Sequence, residues 1–567
     1  MEGCKTARMR QSIADCVFML VCVPVALAQT QGVGCDDAVA LKAGRSGHCA
    51  ELARTIDGLL QGPAVVRDHW GIAVTAMDGA PIYSLNEGQL FQPASNAKLF
   101  TTTTAMALLG PGKTFETKVI AEGTIGEKGV LHGDLILKGG GDANFGSVDL
   151  PYVAPSQRPQ NEHPGVMIGD GTIPDIESLA DEVVAKGLHE VQGDVVGDDQ
   201  IFSWEPIPPD WSADDLTWGY GAPVSALTIH HNQIDFHVAP NPVAGQKAEI
   251  RFDPAVPYYS VTNNVYTTDF GRDCDGRLLF ERPSGSKSLT VRGDIPPHAA
   301  PCVEELAMED PAEYAAMALK EALERRGVRV SGTVRARHWD PGTLGSFLPK
   351  DNGKDPFLQH ILENPHPTPL QCEAQAVLGP AAPPQTVLAT HQSAPLIEDM
   401  TLTNKVSQNL HAELFLRNLG ANYSCQPTAR ESLRVVRQYL LHVGLDKDDF
   451  VFYDGSGLSG HDLVTPRATA QLLQYASTQP WFADWKKTLP VGGEDGSLVS
   501  RFGKAPLKDH VFAKTGTLGE ARALSGYVEC ASGRTVIFSI MVGNHLPSTS
   551  ADRDVMDKIV AAIAAEN

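Results

Sequence analysis

The chain has 567 residues, with 46 Lys or Arg against 68 Asp or Glu and a formal net charge of −22. An acid excess of that size argues against nucleic acid and anionic membrane surfaces as partners. The length suggests roughly three or four domains, and 42% apolar with 20% charged residues is the composition of an ordinary folded protein.

The N-terminus reads as a signal peptide over residues 1–28. Lys5, Arg8 and Arg10 give a positive start, Val17 to Ala28 is apolar, and Ala26-Leu27-Ala28 is a small-x-small cleavage signal. That apolar run is shorter than the about 20 residues a spanning helix needs. The mature chain is therefore expected to be exported to the periplasm and to start near Gln29. Ten cysteines are present, and an oxidising compartment permits disulfides. Cys35 with Cys49, and Cys274 with Cys302, each bracket a short loop and are the expected pairs. No C-x-x-C occurs, so a zinc site of that spacing is not expected.

Residues 50–110 read as a compact α/β start. Helical spacing covers Glu51 to Leu60. Trp70–Met77 and Ile82–Leu85 form a hairpin around Asp78-Gly79. A buried helix follows Pro93-Ala94-Ser95-Asn96-Ala97-Lys98. From about 111 the chain becomes β-rich, with strand-like runs at 116–120, 130–137, 191–197, 248–252, 288–291 and 328–336. Helices interrupt it at 176–186 and 312–326. Gly139-Gly140-Gly141-Asp142 lacks the Lys-Ser/Thr of a phosphate loop and reads as a tight turn. Residues 337–390 are proline-rich and read as a linker. Helices are then expected at 404–419, 429–443, 466–477 and 551–565, with strands at 511–513, 523–529 and 535–542. These describe a sheet covered by helices, an α/β (α+β) fold.

Three motifs carry chemistry. Ser95-x-x-Lys98 puts a hydroxyl at a helix start and an amine one turn later on the same face. The amine can take the hydroxyl proton once burial or a second cation keeps it neutral. A second S-x-x-K, Ser284 to Lys287, lies in a Gly/Ser-rich turn with no helix behind it and is set aside. Ser407-x-Asn409 and Lys514-Thr515-Gly516-Thr517 follow in the C-terminal part. Acyl transfer from a peptide needs a nucleophile, a proton route to the leaving amine and donors for the oxyanion. In that scheme Ser95 attacks and Lys98 takes its proton. Ser407 relays the proton onward, and Asn409 holds Lys98 and the substrate amide. Lys514 binds the substrate carboxylate and keeps Lys98 neutral. The N–H groups of Ser95 and Thr517 form the oxyanion hole, and Thr515 and Gly516 line the substrate strand.

The ordered set S-x-x-K, S-x-N, K-T-G is shared with penicillin-binding proteins and serine β-lactamases. Further stretches narrow the match: Pro93–Leu99, Gly139–Asp142, Gly221-Ala222-Pro223-Val224-Ser225-Ala226-Leu227 and Asp454-Gly455-Ser456-Gly457-Leu458-Ser459. With its long insertion between the first two motifs, the chain resembles the class C low-molecular-mass penicillin-binding proteins, D-alanyl-D-alanine carboxypeptidase/endopeptidases of the penicillin-binding protein 4 type. The resemblance implies a β-lactamase/transpeptidase-like catalytic domain from 50–110 plus 390–567. Two nested β-rich domains are then inserted over 111–389. It implies peptidoglycan stem peptides as substrate, β-lactams as covalent inhibitors, no cofactor and no metal, with peripheral membrane or cell-wall association as a further expectation. It places Asp215 of the first insert at the amino end of the bound side chain, with Tyr220 and Leu518 lining the same pocket. Gln408 stands where many relatives have Asp, and its side chain is expected to point away from the chemistry.

Exo- and endopeptidase activity both stand within this reading. A serine β-lactamase or esterase, and a non-catalytic cell-wall scaffold, are the alternatives. The first would turn over a chromogenic β-lactam without a stable adduct. The second sits poorly with the intact Ser95, Lys98, Ser407, Asn409 and Lys514. His230, His231 and His237, expected on one strand, have no nearby carboxylate that completes a metal site.

Overall fold

The computed structural model describes residues 33–34, 46–147, 149–158, 171–269, 278–340, 342, 358–359, 362–363, 383–424, 426–547 and 549–567. The expected signal peptide and Cys35, one half of the expected Cys35–Cys49 pair, lie outside the described residues. Cys302 is disulfide-bonded, while Cys274 is outside them. Among the described residues no helix is long and apolar enough to cross a membrane.

Two distant parts of the chain build one antiparallel sheet, in the order Val33–Gly34, Pro81–Leu85, His69–Ala76, Thr535–Gly543, Ala521–Glu529, Val511–Leu518. The strand Thr535–Gly543 is apolar almost throughout because both of its faces are covered. Side chains alternate across a strand, so Val536, Phe538, Ile540 and Val542 join one core with Leu52, Ile56, Ile559 and Ile563 of the helices Ser46–Leu60 and Ala551–Glu566. Ile537 and Met541 face the opposite core, with Leu99, Phe100, Phe415 and Leu473. Those residues belong to the helices Ala97–Leu108, Asn409–Tyr423 and Pro466–Ser477.

Among the described residues, those between these parts form four further sheets, the smallest the pair Phe450–Val451 and Leu463–Val464. A seven-stranded one is centred on Glu116–Ile125 and Val130–Lys138 and covered by the helices Pro174–Ala185 and Pro311–Arg325. Two three-stranded sheets share a core around Phe236, Val265 and Val291. The glycine run Gly139–Gly141 is a point of close approach. A β-carbon on Gly140 would lie 2.1 Å from the Glu116 carbonyl oxygen, and one on Gly139 would lie 2.4 Å from that of Ala226.

Three expectations are corrected. The single helix over 404–419 is two, Leu396–Val406 and Asn409–Tyr423, broken where Ser407 turns left-handed (φ 66°). The 337–390 linker is strand at both ends, Val334–Trp339 and Gln385–Gln392, the latter pairing with Glu116–Ile125. His230 and His231 lie in a tight turn, and only His237 is on the strand Gln233–Ala239.

Candidate active site

Ser95 sits in the one-turn helix Ala94–Asn96 that leads into Ala97–Leu108. Lys98, three residues on, is fully buried, and its Nζ lies 2.9 Å from Ser95 Oγ. The same nitrogen lies 2.7 Å from Asn409 Oδ1 and 2.7 Å from the Ser456 carbonyl oxygen. Both of those atoms can only accept, so they take two N–H bonds of the amine. A neutral amine then has its lone pair left for the Ser95 hydroxyl proton. Burial pulls Lys98 down to about 7, while the carboxyls of Asp454, Glu413 and Asp462 pull the other way.

The strand Val511–Leu518 runs against the Ser95 turn. Asn96 Nδ2 donates to the Lys514 carbonyl oxygen at 3.0 Å. A β-carbon on Gly516 would lie 2.6 Å from the Pro93 oxygen and 3.0 Å from the Ser95 nitrogen, so this approach requires glycine. Lys514 is buried, and its Nζ donates to Ser407 Oγ at 2.8 Å and to the Thr515 carbonyl oxygen at 3.0 Å. Burial first, and the charge of Lys98 second, hold it well below the usual lysine range. Burial is thus the leading cause at both lysines.

The left-handed Ser407 ends one helix, and Gln408 begins the next, its side chain accepting from the Leu410 N–H at 3.3 Å. Gln408 is thus a helix cap rather than an idle position. Asn409 Nδ2 donates to the Tyr220 carbonyl oxygen at 2.9 Å, so its second arm holds the insert instead of standing free for substrate. Tyr220 is exposed, and its hydroxyl donates to Asp215 Oδ1 at 2.9 Å. Partial burial and then the Asp215 bond push the phenol up to about 12. Asp215 and Tyr220 are thereby brought to Asn409. Thr515 Oγ1 donates to Ser497 Oγ at 2.7 Å. Thr517 is exposed, and Leu518 ends the strand opposite Ala521.

Sequence reasoning assigned no role to the residues behind Lys98. Glu413 accepts from the Gly455 and Ser456 N–H groups at 2.9 and 2.8 Å. Asp454 accepts from Gly457 and Ser459 at 2.7 Å each, and from Trp211 Nε1 of the insert at 2.9 Å. These two carboxyls shape the loop that turns the Ser456 carbonyl toward Lys98. A β-carbon on Gly457 (φ 81°) would fall 1.8 Å from the Ala94 oxygen. The signal for Glu413 was its position one helical turn after Asn409.

Residues 52–342 and 370–566 match the D-Ala-D-Ala carboxypeptidase 3 (S13) family. The chain is 32% identical over 525 residues to a D-alanyl-D-alanine carboxypeptidase of Actinomadura sp. (strain R39), covering 91% of this chain and 84% of that one. It is 25% identical over 461 residues to a Haemophilus influenzae D-alanyl-D-alanine carboxypeptidase, with 81% of each covered. The fold is similar to the crystal structure of penicillin binding protein 4 from Haemophilus influenzae, with a TM-score of 0.68 at 22% identity over 90% of this chain and 98% of that one. The chain belongs to the D-Ala-D-Ala carboxypeptidase 3 (S13) family and is an enzyme of that class.

Proposed function

We propose that this S13-family enzyme cleaves D-Ala-D-Ala stem peptides of peptidoglycan through an acyl-enzyme on Ser95. The observation that carries the reading is the arrangement at Lys98 Nζ: two obligate acceptors and one hydroxyl, in a fully buried pocket. Ser95 Oγ attacks the penultimate D-Ala carbonyl carbon as its proton passes to Lys98. The oxyanion is held by the N–H groups of Ser95 and Thr517. The proton reaches the leaving amine through Ser407, which Lys514 touches. The C–N bond breaks, D-Ala leaves, and water returns along the same route to release the shortened peptide. The substrate's terminal carboxylate, seated by Lys514, Thr515 and Gly516, favours the charged form of Lys514 when it arrives.

β-Lactams acylate the same serine. A crystal form of the Haemophilus influenzae protein, whose fold this chain shares at a TM-score of 0.63, is described as complexed with a β-lactam. Residues 50–110 plus 390–567 form the catalytic domain in this reading, and 111–389 form two nested inserts. Asp215 and Tyr220 meet the amino end of the stem peptide from the first insert, and Leu518 meets it from the strand end. The leader residues 1–28 direct export to the periplasm.

Incubation with a fluorescent penicillin, followed by denaturing electrophoresis, tests the assignment. The wild-type chain is expected to carry label and Ser95→Ala none; equal labelling refutes the role of Ser95. D-Ala release from a pentapeptide, and cleavage of a cross-linked dimer, measure the exo- and endopeptidase arms.

A further inference from the structure

We propose that a hydrogen-bonded string, Asp149–His231–His411–Asp399, buried at its last three members and exposed at Asp149, positions the turn carrying Ser407 and thereby sets the rate of acylation. The inference rests on the reading of Ser407 and Asn409 as active-centre residues. Asp399 lies on the helix that ends at Ser407, and His411 lies on the helix that begins at Asn409. His411 Nδ1 is 2.6 Å from Asp399 Oδ1, so this bond closes the angle between the two helices across the left-handed Ser407. Both residues are buried.

The string continues into the insert. His411 Nε2 lies 2.7 Å from His231 Nδ1, with the rings stacked at 4.9 Å. His231 Nε2 lies 2.6 Å from Asp149 Oδ2 and 2.8 Å from Ser147 Oγ. Three bonds link two carboxylates through two imidazoles, and carboxylates only accept. His231 Nε2 and His411 Nδ1 therefore donate outward to the carboxylates, and the bond between the rings takes its proton from one of the two. His230 and Asp235 are the other titratable groups facing His231.

The backbone around His231 is unusual. His230, His231 and Asn232 are all left-handed, with φ of 46°, 54° and 56°, a conformation that consecutive non-glycine residues rarely adopt. Asn232 pins it, with Oδ1 accepting from the Ile229 N–H at 2.9 Å and Nδ2 donating to the Pro223 oxygen at 2.8 Å. Backbone strain held this firmly, to bring one ring across to another chain segment, points to a role beyond packing. The chain beyond Asp149 reaches the other wall of the site. The Tyr152 hydroxyl accepts from the Gly496 N–H at 3.1 Å, and Ser156 Oγ donates to Glu494 at 2.6 Å. Those residues flank Ser497, the partner of Thr515.

The test is stopped-flow acylation of the full chain by a fluorescent penicillin, which separates the limiting rate from the half-saturating concentration. His231→Ala is expected to lower the limiting rate by about 100-fold, the size of effect that small misplacements produce, at unchanged half-saturation and beyond what its loss of melting temperature explains. His231→Gln keeps a donor toward His411 and is expected to recover most of that loss. A wild-type rate in His231→Ala overturns the proposal. Should that variant not fold, the isosteric Asp399→Asn decides: a slowed rate at wild-type half-saturation supports the proposal, and an unchanged rate overturns it. Ser407→Ala separates the two levels. If it acylates at the wild-type rate, the reading of the active centre fails. If it is slow while His231→Ala is not, only the string fails.

Discussion

Lys98 gives an amine proton to the Ser456 carbonyl 2.7 Å away, a main-chain acceptor that lies 358 residues further along the chain. That carbonyl and Asn409 together leave a neutral Lys98 one direction in which to accept, and Ser95 occupies it.

Lys98→Met is therefore expected to reduce the rate of labelling by penicillin by about 10²–10⁴-fold, the range general-base catalysis supplies. The fold should be kept, because the substitution leaves a hydrophobic chain of similar length in a buried site. Stopped-flow labelling with a thermal melt checks both.

Since burial lowers Lys98 to about 7, acylation should rise as pH increases through that value, as the neutral amine becomes dominant. The sign for stability follows from the same shift. The unfolded chain binds this proton below the ordinary lysine value of about 10.4, and the folded chain only below about 7. In that window the unfolded state holds more protons, so this residue's contribution to stability grows with pH. A pH profile of limiting acylation rate that is flat from pH 6 to 8 would sink the base assignment.

Glu413→Ala is expected to orphan the Gly455 and Ser456 N–H groups, each costing about 1–3 kcal/mol when buried and unpaired. It also frees the Ser456 carbonyl from its aim at Lys98. Denaturant melts should show the lost stability, and penicillin labelling should slow beyond what the melt explains.

Gly516→Ala should cost rate more than stability. Its β-carbon would meet the Pro93 oxygen and the Ser95 nitrogen, pushing the strand from the serine turn while the sheet register holds. The expected result is a large loss of acylation with a melting temperature close to wild type.

Asp215→Asn should leave penicillin labelling intact and weaken hydrolysis of stem peptides that carry a free amine on the side chain. A variant that cleaves peptides with and without that amine in the wild-type ratio would remove Asp215 from the substrate site.

The three motifs were legible in the sequence because their spacing is local or their order is distinctive. The strand at Thr535–Gly543 was legible from its apolar residues, interrupted only by Ser539, while its burial on both faces emerged with the sheet. The break at Ser407 was not, because apolar residues continue on both sides and a left-handed serine leaves no compositional mark. Gln385–Gln392 was hidden in a proline-rich stretch, since its strand character comes from pairing with Glu116–Ile125. Ser456 acts through its main-chain oxygen, which no side-chain pattern encodes, whereas Glu413 stood one helical turn after Asn409 and only its main-chain partners were hidden.

Asn409 is held by the main-chain oxygen of Tyr220, not by its ring. Any amino acid at position 220 supplies that oxygen. The ring can therefore be exchanged while the anchor of Asn409, and with it the base beside Ser95, stays in place.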